Sequence, residues 1–245
     1  MKHVFLRQSE GASGLLLFFS GWGAEPCMFR EGATDESAAY DILMLWDYRD
    51  MSFDARILSG YKEVRVLAWS MGVWAAGQVL SQPGLNGCAN GIRLAVNGTP
   101  FPVHNRMGIP EAVFDGTLAT LSDRSLGKFR RRMCGSSEAM EQLMSCGLHR
   151  TVDELREELS AIREAVRHGA DHDAGTFSGT AAADASGEFS WNHAVIGSGD
   201  LIFPAANQTE AWKGLDVPVT LLDIPHYDSS LFRRLLYKED SWTNI

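Results

Sequence analysis

Short, nearly continuous apolar runs alternate along this chain with longer amphipathic stretches. Residues 3–7, 15–20, 41–46, 63–69, 92–96, 194–196 and 217–224 are rich in β-branched and aromatic side chains, and turn formers bound them. They are predicted as strands, and their apolarity is too continuous for a sheet with one wet face. The turn-rich Glu10-Gly11-Ala12-Ser13-Gly14 between the first two predicts a hairpin. A short helix is expected over 53–58 and a longer one over 71–80.

Beyond residue 101 the texture changes. Residues 102–168 hold no strand-like run, only helical periodicity over 110–121, 123–133, 136–144 and 151–168, the last opened by the capping-box pattern Thr151-Val152-Asp153-Glu154. Residues 169–187 are rich in Gly, Ala, Ser, Thr and Asp and predict a flexible loop. The expected organisation is an α/β core over 1–101 and 189–245, a helical cap over 102–168 and a flexible loop over 169–188. The central sheet is expected to be mostly parallel and flanked by helices, with the cap inserted after the strand that follows the 71–80 helix.

At 245 residues, 45% hydrophobic and 22% charged, the chain is long enough to bury a full core. A formal charge of −9 disfavours broad nucleic-acid binding. Cys27, Cys88, Cys134 and Cys146 show neither a C-x-x-C pair nor metal-ligand spacing, so free thiols in a reducing cytosol are expected. The run 15–19 is too short to cross a bilayer and enters Gly21-Trp22-Gly23 without a small-residue cleavage site. A soluble cytoplasmic protein without a membrane partner is therefore expected.

The candidate chemistry lies at strand ends. Ala68-Trp69-Ser70-Met71-Gly72 joins a predicted strand to a predicted helix, the context of the G-x-S-x-G nucleophile elbow, with Ala68 in place of the first glycine. Such a turn exposes the serine oxygen and aims the Met71 N–H at a developing oxyanion. The alternative is that Ser70 caps the helix. Gly197-Ser198-Gly199-Asp200 follows the 194–196 strand, and Pro225-His226 follows the 217–224 strand. Ser70, Asp200 and His226 thus stand in the chain order of nucleophile, acid and base, at the same edge of the sheet. Taken singly, Asp200 also suits a helix cap and His226 an ordinary loop histidine. The second oxyanion donor is expected from Phe19-Ser20-Gly21-Trp22-Gly23, at the Trp22 N–H. His168 and His172 flank Asp171, but without a helix to hold them on one face they are not read as a metal site.

The motifs F-F-S-G-W-G, Asp47-Tyr48-Arg49-Asp50, A-W-S-M-G and F-S-W-N-H-A-V-I-G-S-G-D-L-I-F-P-A-A-N-Q-T-E-A-W resemble the BioG-type pimeloyl-[acyl-carrier protein] methyl ester esterases of biotin synthesis. The resemblance covers about residues 1–100 and 189–230, with Asp200 to Gln208 its most specific part. It implies an α/β-hydrolase fold. It also implies that Ser70, Asp200 and His226 hydrolyse the methyl ester of a pimeloyl thioester on acyl carrier protein, without metal or organic cofactor. Pro225, where such hydrolases often carry glycine, departs from the pattern.

An acyl chain needs an apolar tunnel, for which Trp22, Trp69 and Phe101 are candidates, while Trp74 is read as core. Residues 121–135 carry five cations and one carboxylate. Arg124, Lys128 and Arg131 share one helical face, either a solvated surface or a docking stripe for an acidic carrier protein. A small-molecule carboxylesterase or thioesterase shares the same triad. A non-catalytic hydrolase-fold scaffold is the reading from a different class.

Overall fold

The computed structural model describes residues 1–30, 38–172, 189–238 and 242. Seven strands, β1 (Lys2–Arg7), β2 (Gly14–Phe19), β3 (Tyr40–Trp46), β4 (Glu63–Trp69), β5 (Arg93–Val96), β6 (His193–Gly197) and β7 (Val219–Leu222), form one sheet in the order β1-β3-β2-β4-β5-β6-β7. Every neighbouring pair is parallel except β1 with β3. The helices are α1 (Met71–Leu80), α2 (Glu111–Ala119), α3 (Asp123–Cys134), α4 (Ser137–Ser145), α5 (Val152–His172), α6 (Ala205–Gly214) and α7 (Ser229–Tyr237). This is the α/β-hydrolase architecture, with α2 to α5 lying between β5 and β6 in the chain.

Strand parity divides the core in two. Leu15, Leu17, Phe19, Val66 and Ala68 point to one face and pack with Val73 of α1, Leu155 and Leu159 of α5 and Trp212 of α6. Leu16, Phe18, Met44, Leu67 and Trp69 point to the other and meet Leu231, Phe232 and Leu235 of α7. Each large apolar side chain buried this way contributes about 1.5–3 kcal/mol.

The hairpin expected between the first two strands does not form, because β3 lies between them. β2 is buried at every position and takes parallel partners on both edges. A strand apolar on both faces is satisfied only inside the sheet. β1, with Lys2 and His3 exposed, takes the edge instead.

The helices fall within a few residues of expectation, except that α5 runs on to His172. Residues 169–172, expected in the loop, are therefore helical: one glycine costs a helix about 1 kcal/mol, and no proline follows to end it. The remainder of that loop lies outside the described residues. The Thr151 capping box is present, with the Glu154 N–H donating to Thr151 Oγ1 (3.2 Å) and the Thr151 N–H to Glu154 Oε2 (2.9 Å). Among the described residues, no helix is long and apolar enough to cross a membrane.

Candidate active site

Ser70 stands between β4 and α1 with φ 59° and ψ −124°. This left-handed backbone is one that non-glycine residues adopt at a cost of about 1–3 kcal/mol. Two glycines make the turn possible. A Cβ on Gly72 would lie 2.2 Å from the Phe19 carbonyl oxygen, and one on Gly98 would lie 2.3 Å from the Ser70 carbonyl oxygen. Ala68 is fully buried in β4, paired with Phe19 and Ala95, so its methyl group is accommodated. Ser70 is the residue before the first helical turn, yet its side chain caps nothing. Its Oγ lies 2.9 Å from His226 Nε2 instead.

His226 Nδ1 lies 2.8 Å from Asp200 Oδ2. A carboxylate there keeps the proton on Nδ1 and leaves Nε2 as the acceptor for the serine hydroxyl. Asp200 Oδ1 also accepts the N–H groups of Ile202 (2.8 Å) and Phe203 (2.9 Å), and Oδ2 accepts Gln208 Nε2 (3.1 Å). The side chains of His226 and Asp200 are no more than 1% exposed. The arrangement can therefore remove a proton from Ser70 and stabilise the resulting imidazolium through a buried carboxylate.

Pro225 does not displace this loop. The His226 carbonyl accepts Trp69 Nε1 (2.9 Å) and Asn97 Nδ2 (2.9 Å), and Asn97 Nδ2 also reaches the Pro225 carbonyl (2.9 Å). The Gly197 N–H donates to Asn97 Oδ1 (2.6 Å). Asn97 has φ 46° and is buried, so it joins the ends of β5 and β6 to the histidine loop. Phe203 stacks on the imidazole at 8° between planes.

The N–H groups of Trp22 and Met71 make no hydrogen bond among the described residues. The loop carrying Trp22 is fixed by Tyr48, whose hydroxyl donates to the Ser20 carbonyl (2.6 Å), and by Trp22 Nε1 donating to the Leu155 carbonyl (2.9 Å). The Tyr48 N–H in turn donates to Glu158 (3.0 Å), which pairs with Arg150 (2.7 Å), both side chains buried. Burial pushes the Glu158 carboxyl above its usual range and the Tyr48 hydroxyl well above its own. Arg49 and Lys2, against the opposing effect of burial, hold the adjacent Asp47 well below the usual carboxylate range. The motif Asp47 to Asp50 thus ties the end of β3 to α5 and to the loop that carries Trp22.

A pocket of about 110 Å³ opens at Ser70 and His226. Its walls are mainly apolar, from Trp22 and Trp69 to Ile109, Phe114, Phe129 and Leu159. Phe101, expected among them, is absent from the lining. The turn that holds the Phe101 carbonyl against Thr99 sends the ring toward His104, at 6.1 Å. Trp74 lies in the core, as read. Helix α3 turns Leu126 and Met133 inward and exposes Arg124, Lys128 and Arg131, none of which forms an ion pair among the described residues. Arg132 is the one cation lining the pocket among the described residues.

Sequence reasoning assigned no role to Asn97, Gln208 or Tyr48. Asn97-Gly98 directly after a predicted strand was the available signal for the first, and Gln208 closes the most specific motif. Among the described residues, no cluster of three metal-ligating side chains occurs.

Residues 1–239 match the family described as "Pimeloyl-ACP methyl esterase BioG". A Bacteroides fragilis protein named malonyl-[acyl-carrier protein] O-methyltransferase is 40% identical over 221 residues, which are 90% of this chain and 41% of that protein. The chain thus spans less than half the length of that relative. A selenomethionine crystal structure of BioG from Haemophilus influenzae superposes with a TM-score of 0.78 at 33% identity, covering 97% of this chain and 100% of that one. Bromoperoxidase from Bacillus anthracis, at 12% identity and a TM-score of 0.59 over 98% of this chain and 93% of its own, shares the fold.

Proposed function

The chain belongs to the BioG family of biotin-synthesis α/β-hydrolases, and on that premise we propose that it is a cytoplasmic serine esterase acting on pimeloyl-[acyl-carrier protein] methyl ester. The observation that carries the reading is the continuous contact from Ser70 Oγ through His226 to Asp200, at 2.9 and 2.8 Å. His226 takes the Ser70 proton as Oγ attacks the ester carbonyl, and the oxyanion is received by the Trp22 and Met71 N–H groups. Donors of this kind are worth about 3 kcal/mol each in the transition state. Protonated His226 then gives its proton to the departing methoxide, releasing methanol and leaving an acyl group on Ser70. Water, deprotonated by His226, opens that acyl-enzyme to the free ω-carboxylate and restores Ser70. None of these steps uses a metal or an organic cofactor.

The apolar pocket suits an unbranched acyl chain, with Trp22 and Trp69 beside the reacting carbonyl. The exposed cations Arg124, Lys128 and Arg131 on α3 offer an acidic carrier protein a complementary face next to the pocket mouth. The methyltransferase named in the Bacteroides relative would supply methyl esters of the class this site opens. That relative carries a segment similar to this chain inside a longer protein.

The test is incubation of purified protein with the carrier-bound pimeloyl methyl ester, products being resolved by mass spectrometry. Loss of the methyl group with the thioester intact, abolished in Ser70→Ala, supports the reading. Release of the acyl chain from the carrier, or hydrolysis of free small esters alone, supports the thioesterase or small-molecule reading. Retention of the methyl group on every ester leaves a scaffold.

A further inference from the structure

Cys27 and Cys146 come from segments 119 residues apart, yet their sulfurs lie 2.9 Å from one another. Cys27 sits in the short 3₁₀ turn Pro26–Met28 that follows the Trp22 loop, and Cys146 closes the last turn of α4. The backbones on either side are already fastened together. Glu25, two residues before Cys27, accepts the N–H groups of His149 (2.9 Å) and Arg150 (3.0 Å), just beyond Cys146. A disulfide bond of about 2.05 Å therefore needs the sulfurs to approach by roughly 0.9 Å more, across a junction whose frame is set.

Neither thiol is sealed in the core. Both are half-buried and line a groove of about 1080 Å³ that also runs past Cys134, Pro225 and Tyr227. The half-buried guanidinium of Arg130 interacts electrostatically with Cys146. Burial, reinforced by the hydrogen bond between the two sulfurs, pushes the Cys27 thiol up to about 12. Nothing in the ester chemistry uses either sulfur. Cys88, bonded at 3.6 Å to the Gly84 carbonyl, has no thiol beside it and serves as an internal comparison.

We infer that Cys27 and Cys146 form an oxidation site, a dithiol converted by a peroxide into a disulfide that clasps the end of α4 to the loop carrying Trp22. Cys146 gives its thiol proton to solvent and its sulfur attacks one peroxide oxygen; the O–O bond breaks, leaving a sulfenic acid and a hydroxide that takes a proton back from solvent as the first water. Cys27 sulfur then attacks the Cys146 sulfur, its proton leaves with the displaced hydroxide as a second water, and the S–S bond forms. Two thiols are oxidised by two electrons and one peroxide is reduced. A dithiol reductant reverses the change by exchange. The cross-link would close a loop of over a hundred residues, which lowers the unfolding equilibrium constant by about a thousandfold.

The experiment treats the full-length protein with stoichiometric hydrogen peroxide, blocks remaining thiols, and maps peptides by mass spectrometry without reductant. The expected result is a Cys27–Cys146 linked peptide, free Cys88 and Cys134, and a midpoint of urea unfolding raised in the wild type and restored by dithiothreitol. Cys146→Ser and Cys27→Ser should each fold, show the reduced protein's midpoint, and not respond to peroxide in this way. The inference is overturned by a linkage involving Cys88 or Cys134, by sulfinic acid at Cys146 without cross-linking, or by a peroxide response that survives in both variants.

Discussion

Replacing Asn97 by glycine isolates how His226 is held in place. Asn97 has φ 46°, which glycine adopts without penalty, so Asn97→Gly deletes the side chain and leaves the turn. Three hydrogen bonds vanish: two donations to the Pro225 and His226 carbonyls, and acceptance from the buried Gly197 N–H. The His226 carbonyl keeps Trp69 Nε1, but the Gly197 N–H and the Pro225 carbonyl lose the partner that Asn97 supplied. At about 1–2 kcal/mol for each such group, the loss is about 2–4 kcal/mol, a melting temperature lower by about 5–15 °C for a domain of this size. With one of two anchors gone, displacement of the imidazole by about 1 Å would lower kcat about a hundredfold, with little change in KM for a small p-nitrophenyl ester. Asn97→Ala adds backbone strain of about 1 kcal/mol and should melt lower still with a similar kcat. Steady-state kinetics beside thermal denaturation decide the matter. A glycine variant that melts lower yet keeps wild-type kcat would show that Asn97 serves stability alone, refuting its positioning role.

Gly72→Ala should fail to give stable, active protein, because the added methyl group would lie 2.2 Å from the Phe19 carbonyl oxygen; thermal denaturation of the soluble fraction reports it. Reversing Arg124 and Arg131 to Glu should raise KM for the carrier-bound ester about tenfold or more and leave KM for a p-nitrophenyl ester unchanged. Equal effects on both substrates would argue against docking on α3. Asp47, with its folded pKa depressed below the unfolded value of about 3.9, contributes stability that is present above pH 4 and lost as the pH falls below it. Asp47→Asn should therefore flatten the decline in urea midpoint between about pH 5 and pH 3.

That Ser70, Asp200 and His226 meet was readable because each lies within four residues of a strand end, and a parallel sheet delivers all such ends to one edge. Their supports were not readable. Tyr48 meets Glu158 across 110 residues, a contact that depends on how α5 lies against the end of β3. The motif containing Tyr48 was visible, but its task of holding the Ser20 carbonyl at the start of the Trp22 loop was not. The hairpin failed for a related reason. The stretch 10–14 suits a tight turn, and the continuous apolarity of β2 marks it as an interior strand, but that β3 inserts between β1 and β2 is a long-range pairing no local pattern encodes. Phe101 counted as a pocket wall by residue type alone, and a turn fixed through Thr99 points it elsewhere. The common exposed face of Arg124, Lys128 and Arg131 on α3 was legible from helical spacing, as was the capping box at Thr151.

Exposing the native protein to a fluorophosphonate and sequencing the modified peptide asks most directly whether Ser70 is an activated nucleophile. The arrangement of Ser70, His226 and Asp200 predicts a single adduct on Ser70, abolished by denaturation beforehand and slowed by at least about a hundredfold in His226→Ala. An unmodified Ser70, together with ester hydrolysis that persists in Ser70→Ala, would contradict it.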